Sequence, residues 1–308
     1  MLAIIRGIPF MRQIWWAFCA RTSLNNLVKV IFVVGLAAII VQGCVINKNI
    51  NKSINVSKVI EISSMAELES FVRPDSLVLF DLDNTLLESA QVYGHVNWLY
   101  DQIEEGKSRG ISHDETIKRT FAVWLRSQER NRVKPVEALT PALIKRLQNR
   151  GLKVMGLTAR QTPLIPATLR QLSDLGVDFG PSSLAPATFD LTKFVAPVAF
   201  NQGVLFVSEF IKKSHVLTAY LDRIGYVPRH IVFVDDSKKH VQDLVEAFNA
   251  RGIGIVGLHY PLVASRPHFW DRLAAAKIFE KCDKEGTQTD TLCGKSPLLS
   301  SGPVNLVH

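Results

Sequence analysis

The chain has 308 residues, enough for one large domain or two modest ones. Its 47% hydrophobic and 21% charged residues give the balance of a packed globular protein, which excludes a disordered chain, a collagen and a coiled-coil rod. Lys and Arg number 36 against 28 Asp and Glu, but four of those basic residues (Arg6, Arg12, Arg21, Lys29) lie in the first 44 positions with no acid among them. The rest of the chain is only mildly basic and has no Arg/aromatic stripe, so no nucleic-acid partner is expected.

The basic N-terminal stretch precedes the uncharged run Val30–Val41 (VIFVVGLAAIIV). That length suits a signal-peptide core better than a membrane span. Val41-Gln42-Gly43-Cys44 resembles a bacterial lipobox, with Cys44 as the lipidated residue. An uncleaved membrane anchor is the alternative. Both place residues 1–44 at a membrane, residues 45–73 as a tether, and the following domain outside the cytoplasm, in the periplasm or cell envelope. Of four cysteines, Cys282 and Cys293 would remain in the exported part, either paired across a small loop or as two free thiols. No Cys/His spacing suggests a structural zinc.

Three short apolar runs read as buried parallel strands: Ser76–Phe80, Leu152–Leu157 and His230–Val234, with Gly252–Leu258 as a fourth. Helical patterns alternate with them at Pro141–Arg150 (capped by Thr140), Ile165–Leu175, Ser214–Ile224 and Lys239–Ala250. The alternation predicts an α/β fold with a doubly wound parallel sheet over residues 74–280. Gln91–Glu105 and His113–Arg130, rich in aromatic residues, read as a small helical cap insertion over about 89–136. Gly180–Ser208 is irregular, with a hairpin ending in GVLFVS, and residues 281–308 read as a loop-like tail.

Each of the first three strands runs into polar residues, where ligands of such sheets bind. The string LVLFDLDNTLL places Asp81 and Asp83 beyond the first strand, and VFVDDS places Asp235 and Asp236 beyond the third. Carboxylates at buried strand ends are costly unless paired or coordinating, so four of them imply a cation, and oxygen ligands suit Mg²⁺. In DLDNTL, GLTAR, the lysine opening KSHVL, and VDDS, the chain resembles the haloacid dehalogenase superfamily of Mg²⁺-dependent phosphohydrolases, in the family's motif order over about residues 74–260. It is similar to an uncharacterised branch of exported bacterial members.

The resemblance implies that Asp81 is the nucleophile, forming an aspartyl-phosphate, and that Asp83 is the acid and then the base. It implies Thr158 as a phosphate hydrogen-bond donor and Lys213 as the charge-neutralising ammonium. Mg²⁺ would be held by Asp81, Asp83 (through its backbone carbonyl), Asp235 and Asp236. An Asp at the second position fits a phosphatase acting on a small phosphorylated substrate and disfavours carbon–halogen cleavage. The alternative is a chain that keeps the fold as a weakly active or inactive envelope or effector binding protein. Lys212 competes with Lys213, and Arg160 reads either as a substrate-phosphate contact or as an exposed surface residue. Asn84 reads as structural or pocket-lining, and Ser237 and Lys238 are weak candidates. His95, His215 and His240 read as structural, and Trp98 and Trp124 as core of the insertion, with one of the two facing the substrate if the insertion caps the site.

Overall fold

The computed structural model describes residues 57–185, 188–191, 194, 196–266 and 270–284. The N-terminal apolar run, Cys44 and Cys293 lie outside the described residues. The elements in chain order are β1 (Lys58–Glu61), a 3₁₀ helix (Met65–Phe71), β2 (Ser76–Phe80), β3 (Leu87–Ser89), α1 (Val96–Ser108), α2 (His113–Arg130), β4 (Val133–Pro135), α3 (Thr140–Asn149), β5 (Lys153–Thr158), α4 (Ile165–Asp174), β6 (Thr188–Leu191), β7 (Val198–Asn201), β8 (Val204–Phe206), α5 (Lys213–Arg223), β9 (His230–Asp235), α6 (Lys238–Ala250), β10 (Gly254–His259) and α7 (Arg272–Lys284). Among the described residues no helix is long and apolar enough to cross a membrane.

One sheet of eight strands carries the order β1-β10-β9-β2-β5-β8-β7-β6. Pairing is parallel from β1 through β8, and β7 and β6 are added antiparallel. Every residue of β2 and β9 is buried, because helices cover both faces. Alternation sorts the side chains. Val78, Phe80, Val232 and Val234 join Leu143, Ile144 and Leu147 of α3 and Leu172 of α4 on one face. Leu77, Leu79, Ile231 and Phe233 join Val216, Leu217 and Tyr220 of α5 and Leu244 and Phe248 of α6 on the other. The sheet is therefore doubly wound, as expected. β2 is central, and the chain goes first to β5 on one side and later to β9 on the other. That reversal opens a crevice at the carboxyl ends of these strands.

Several boundaries differ from the sequence expectation. The stretch 45–73, expected as a tether, contains β1 and the 3₁₀ helix, so the folded unit begins well before residue 74. Lys58–Glu61 is too short and too polar to announce itself, and pairs with β10 as an edge strand. Thr140 does not cap α3. The chain is already helical at Leu139, whereas a cap needs an extended backbone. The first insertion helix starts at Val96 rather than Gln91, after Gly94 takes φ +92° and His95 caps the helix. The expected hairpin is present. Gln202 and Gly203, both with positive φ, join β7 to β8. The helix α7 runs through Lys281 to Lys284, where a loop-like tail was expected. Its Cys282 is buried and disulfide-bonded.

The insertion folds as two packed helices, α1 and α2, closed at its base by the antiparallel pair β3–β4. The last helix braces it. Trp98 of α1 stacks on Phe279 of α7 (4.1 Å, 2°), and Tyr93 packs on the same ring. Arg126 of α2 forks onto Asp283 at 2.7 and 2.9 Å, and Trp270 donates to Asp101 at 2.7 Å.

Gly257 of β10 sits under α6, where a Cβ would come within 2.5 Å of Val241 Cγ1 and 2.7 Å of Val245 Cγ2. Neither methyl is the end of a flexible chain. Gly257→Ala is expected to lower stability by about 1–3 kcal/mol, the usual cost of overpacking, and a urea midpoint shift measures it.

Candidate active site

Asp81 is the first residue beyond β2, and its N–H donates to Val234 O of β9 at 3.0 Å. This bond extends the β2–β9 pairing by one step and brings Asp81 beside Asp235, the last residue of β9. Both side chains are buried. Lys213, the first residue of α5, lies between them, and its Nζ donates to Asp81 Oδ1 at 2.5 Å and to Asp235 Oδ2 at 2.7 Å. Lys212 points elsewhere and pairs with Asp243 at 3.1 Å, so the choice between the two lysines falls to Lys213.

Oxygens of Asp81, Asp235 and Asp236 all lie within 4.8 Å of one another. Asp235 Oδ1 also accepts the Ser237 N–H at 2.7 Å, and His240 Nδ1 lies 3.3 Å from both of its oxygens. The Asp236 N–H donates to the buried Thr85 hydroxyl at 2.9 Å, which ties the β9 loop to the β2 loop. Thr158 ends β5, and its Oγ1 accepts the Arg160 N–H at 3.1 Å. The carboxylate of Asp83 lies outside the three-acid group. Arg160 holds it in a fork, Nε to Oδ2 at 2.8 Å and Nη2 to Oδ1 at 2.7 Å. Arg160 is buried, which corrects its reading as an exposed surface residue. Its charge is satisfied inside by Asp83, Thr168 and Gln171.

The charges strain one another. Burial pushes Asp81 up to about 6 in spite of the attraction of Lys213, and Asp235 and Asp83 add to the rise. Burial would raise Asp235 too, but Lys213 and His240 outweigh it and hold its carboxyl low. Burial first, then repulsion from Asp81 and Asp235, pushes Asp236 up to about 8. Burial alone would strip the Lys213 ammonium of its proton, and Asp235 and Asp81 together hold that proton more tightly than usual.

These groups open into a cleft of about 630 Å³. The insertion contributes Leu99, Tyr100, Phe121 and Trp124 to its lining, and the loop after β8 contributes Phe210. The Tyr100 phenol is pushed up to about 12, by burial first and then by the charges of Asp236, Asp83 and Asp81. Trp98 belongs to the core of the insertion, as read from sequence, whereas Trp124 also lines the cleft. Asn84 lines it too, with φ 59°. His95 caps α1, and His240 lies against Asp235. His240 and Tyr100 are the site neighbours that the sequence reading did not assign to the site. His240 had a signal, since it lies one helical turn past the VDDS loop.

The chain belongs to the family described as "Protein of unknown function (DUF2608)", whose model matches residues 55–284. It is 28% identical over 191 residues to a Chlamydia trachomatis serovar D protein named "Putative outer membrane protein", covering 62% of this chain and 70% of that one. Among solved structures it is similar to a haloacid dehalogenase-like hydrolase from Streptococcus pneumoniae (14% identity, TM-score 0.37, 62% of this chain and 97% of that one). It is also similar to a class C acid phosphatase from Bacillus anthracis with tungstate bound (14% identity, TM-score 0.33, 76% and 84%).

The charge balance gives a prediction of two opposite signs. In the unfolded chain Asp236 titrates near 3.8, and in the folded chain near 8. Between those values the native state holds a proton that the unfolded state has released, so without divalent cation stability falls as pH rises through this window. Asp236→Asn is expected to remove its share of that slope, the part above about pH 6 where Asp81 has already titrated, and to raise the urea midpoint at pH 8. Lys213→Met, which strands Asp81 and Asp235, is expected to lose about 3–5 kcal/mol at the same pH.

Proposed function

We propose that this protein is a divalent-cation-dependent phosphohydrolase of the cell envelope, which releases phosphate from a small phosphomonoester through an aspartyl-phosphate on Asp81. One observation carries this reading: three carboxylates and one buried ammonium, delivered by different elements, meet at one point, with Asp81, Asp236 and Lys213 lining a single cleft and Asp235 buried beside them.

The donor set fits a hard cation. It is all oxygen, and three acids share one lysine, so a positive charge is wanted where Asp236 is pushed up to about 8. Asp81, Asp235 and Asp236 would hold the ion, and Mg²⁺ is the natural choice. When bound it supplies neutralising charge at the transferring phosphoryl group.

The chain's own residues supply the rest. An Asp81 oxygen attacks phosphorus, the bond from phosphorus to the leaving oxygen breaks, and Asp83 gives that oxygen a proton. Water then attacks the aspartyl-phosphate, Asp83 takes the water's proton, and Asp81 is freed. Lys213 offsets negative charge at Asp81 throughout. The Thr158 hydroxyl accepts a backbone N–H, which leaves its own proton for a phosphoryl oxygen. Such positioned charges account for most phosphoryl-transfer catalysis. The aromatic lining would meet the leaving group, with Tyr100 and Phe210 its solvent-exposed members.

An envelope location is supported by the basic and apolar N-terminal sequence and by the name of the chlamydial relative. The disulfide at Cys282 suits an oxidising compartment. A membrane tether through the N-terminal segment follows from the same sequence.

The wild-type chain is expected to release phosphate from p-nitrophenyl phosphate with Mg²⁺ and to stop when EDTA is added. Asp81→Asn is expected to lower turnover roughly a thousandfold or more, as loss of a nucleophile does. Undiminished release from that variant removes the mechanism. Tyr100→Ala is expected to raise KM for the aryl ester several-fold with kcat little changed, as lost uniform binding does.

A further inference from the structure

The phosphohydrolase reading gives Asp83 two proton transfers but leaves open what fixes its carboxylate, which is 40% exposed on a turned loop. We propose that Arg160 is a positioning residue for Asp83, and that a buried chain of amide side chains ties it to the base of the helical insertion. The proposal rests on the phosphohydrolase reading and deepens it.

The geometry is that of a clamp. Nε and Nη2 of Arg160 take the two oxygens of the ionised Asp83, the form that takes the water's proton, so the carboxylate plane is set as well as its distance; when Asp83 carries the proton for the leaving group, that oxygen turns donor and Arg160 holds the other. The third nitrogen, Nη1, donates to Thr168 Oγ1 at 2.9 Å and to Gln171 Oε1 at 2.7 Å, one turn apart on α4. Thr168 in turn donates to Leu164 O at 2.8 Å. The guanidinium cannot swing without breaking bonds at both ends. A lysine could not reproduce this, because a point charge does not fix a plane.

The chain continues into the insertion. Gln171 Nε2 donates to Gln128 O and Gln128 Oε1 of α2, both at 3.3 Å. Gln128 Nε2 donates to Gly94 O at 2.8 Å, and Asn131 Nδ2 donates to the same carbonyl at 3.1 Å. Asn131 Oδ1 accepts from Ser89 of β3 at 2.7 Å. Thr168, Gln171, Gln128 and Asn131 are all buried, where apolar residues would pack at lower desolvation cost. A buried arginine spending two donors on a half-exposed acid adds little stability by itself. Its consequence is orientation. The seating of α2 on α4 and the fork on Asp83 become one connected arrangement.

The test compares two esters in the full chain with Mg²⁺: p-nitrophenyl phosphate, whose leaving group needs no proton, and glycerol phosphate, whose alkoxide does. Arg160→Gln is expected to lose at least tenfold more kcat/KM on the alkyl ester than on the aryl ester, the same selectivity as Asp83→Asn. The double variant is expected to be no worse than Asp83→Asn alone, because one residue acts through the other. Arg160→Lys is expected not to restore the loss. Gln171→Leu is expected to show a smaller loss of the same selectivity, and it carries the comparison if Arg160→Gln does not fold. Equal losses on the two esters, additive losses in the double variant, or a rise in KM alone would overturn the positioning role. In that case the wild type still turns over both esters, so the phosphohydrolase reading stands. Absence of release by the wild type overturns both.

Discussion

The site depends on one buried ammonium held between two carboxylates. Asp81 and Asp235 stand side by side because β2 and β9 are neighbours in register, and the sheet would press two like charges together at that point. Lys213 makes the juxtaposition tolerable, with the face of Phe233 at 5.7 Å from its Nζ. The lysine stands at the start of α5, where the helix dipole disfavours a cation. The carboxylates beside it are therefore favoured by both the lysine and the helix end. Each charge is placed where it would be costly alone, and the three are stable only as a set.

Asp236 breaks that balance. It is tethered through its N–H to Thr85, so it remains near Asp81 and Asp235 without a lysine of its own. A protein selected for stability alone has no use for a third acid whose proton is held up to about 8 by its neighbours. The surplus charge is the physical reason to read the group as a cation site rather than as a salt-bridge cluster. The insertion has the opposite character: apolar, aromatic and braced by α7 through the Trp98–Phe279 stack and the Arg126–Asp283 fork. Acidic centre and aromatic lining are made by separate parts of the chain and meet in one cleft.

Much of this was legible in the sequence. Buried parallel strands are nearly continuous apolar runs, so β2, β5, β9 and β10 are found within two residues of where they were read. The acids and Thr158 are conspicuous as polar residues at strand ends, and Lys213, the first residue of α5, came from the family resemblance. What was not legible depends on three-dimensional pairing. β1 is a polar four-residue edge strand whose partner is nearly two hundred residues away. Arg160 looks like any surface arginine until the folded chain brings Asp83, Thr168 and Gln171 around it. Gln128 and Gln171 are polar residues on helical faces, and Asn131 a polar cap after α2, that sequence pattern assigns to solvent, yet they are buried. Periodicity finds apolar faces, and it cannot find a buried polar network.

The backbone at the cleft is itself constrained. Among the described residues three non-glycine positions have positive φ. One, Gln202, is in the hairpin turn between β7 and β8, where such a φ is required. The other two border the cleft: Asn84 just after Asp83, and Ser208 just before Glu209 and Phe210. Asparagine tolerates the left-handed region and serine does so less readily. The Ser208 hydroxyl is also buried with no hydrogen-bond partner among the described residues. Local preference therefore does not hold these turns, and the packed sheet below must. Each turn has a positional result. The first sets Asp83 within reach of Arg160, and the second carries the chain from β8 past Phe210 to Lys213. The strain lies on the two loops that deliver the acid and the ammonium, which is where a rigid scaffold would spend stability to fix chemistry.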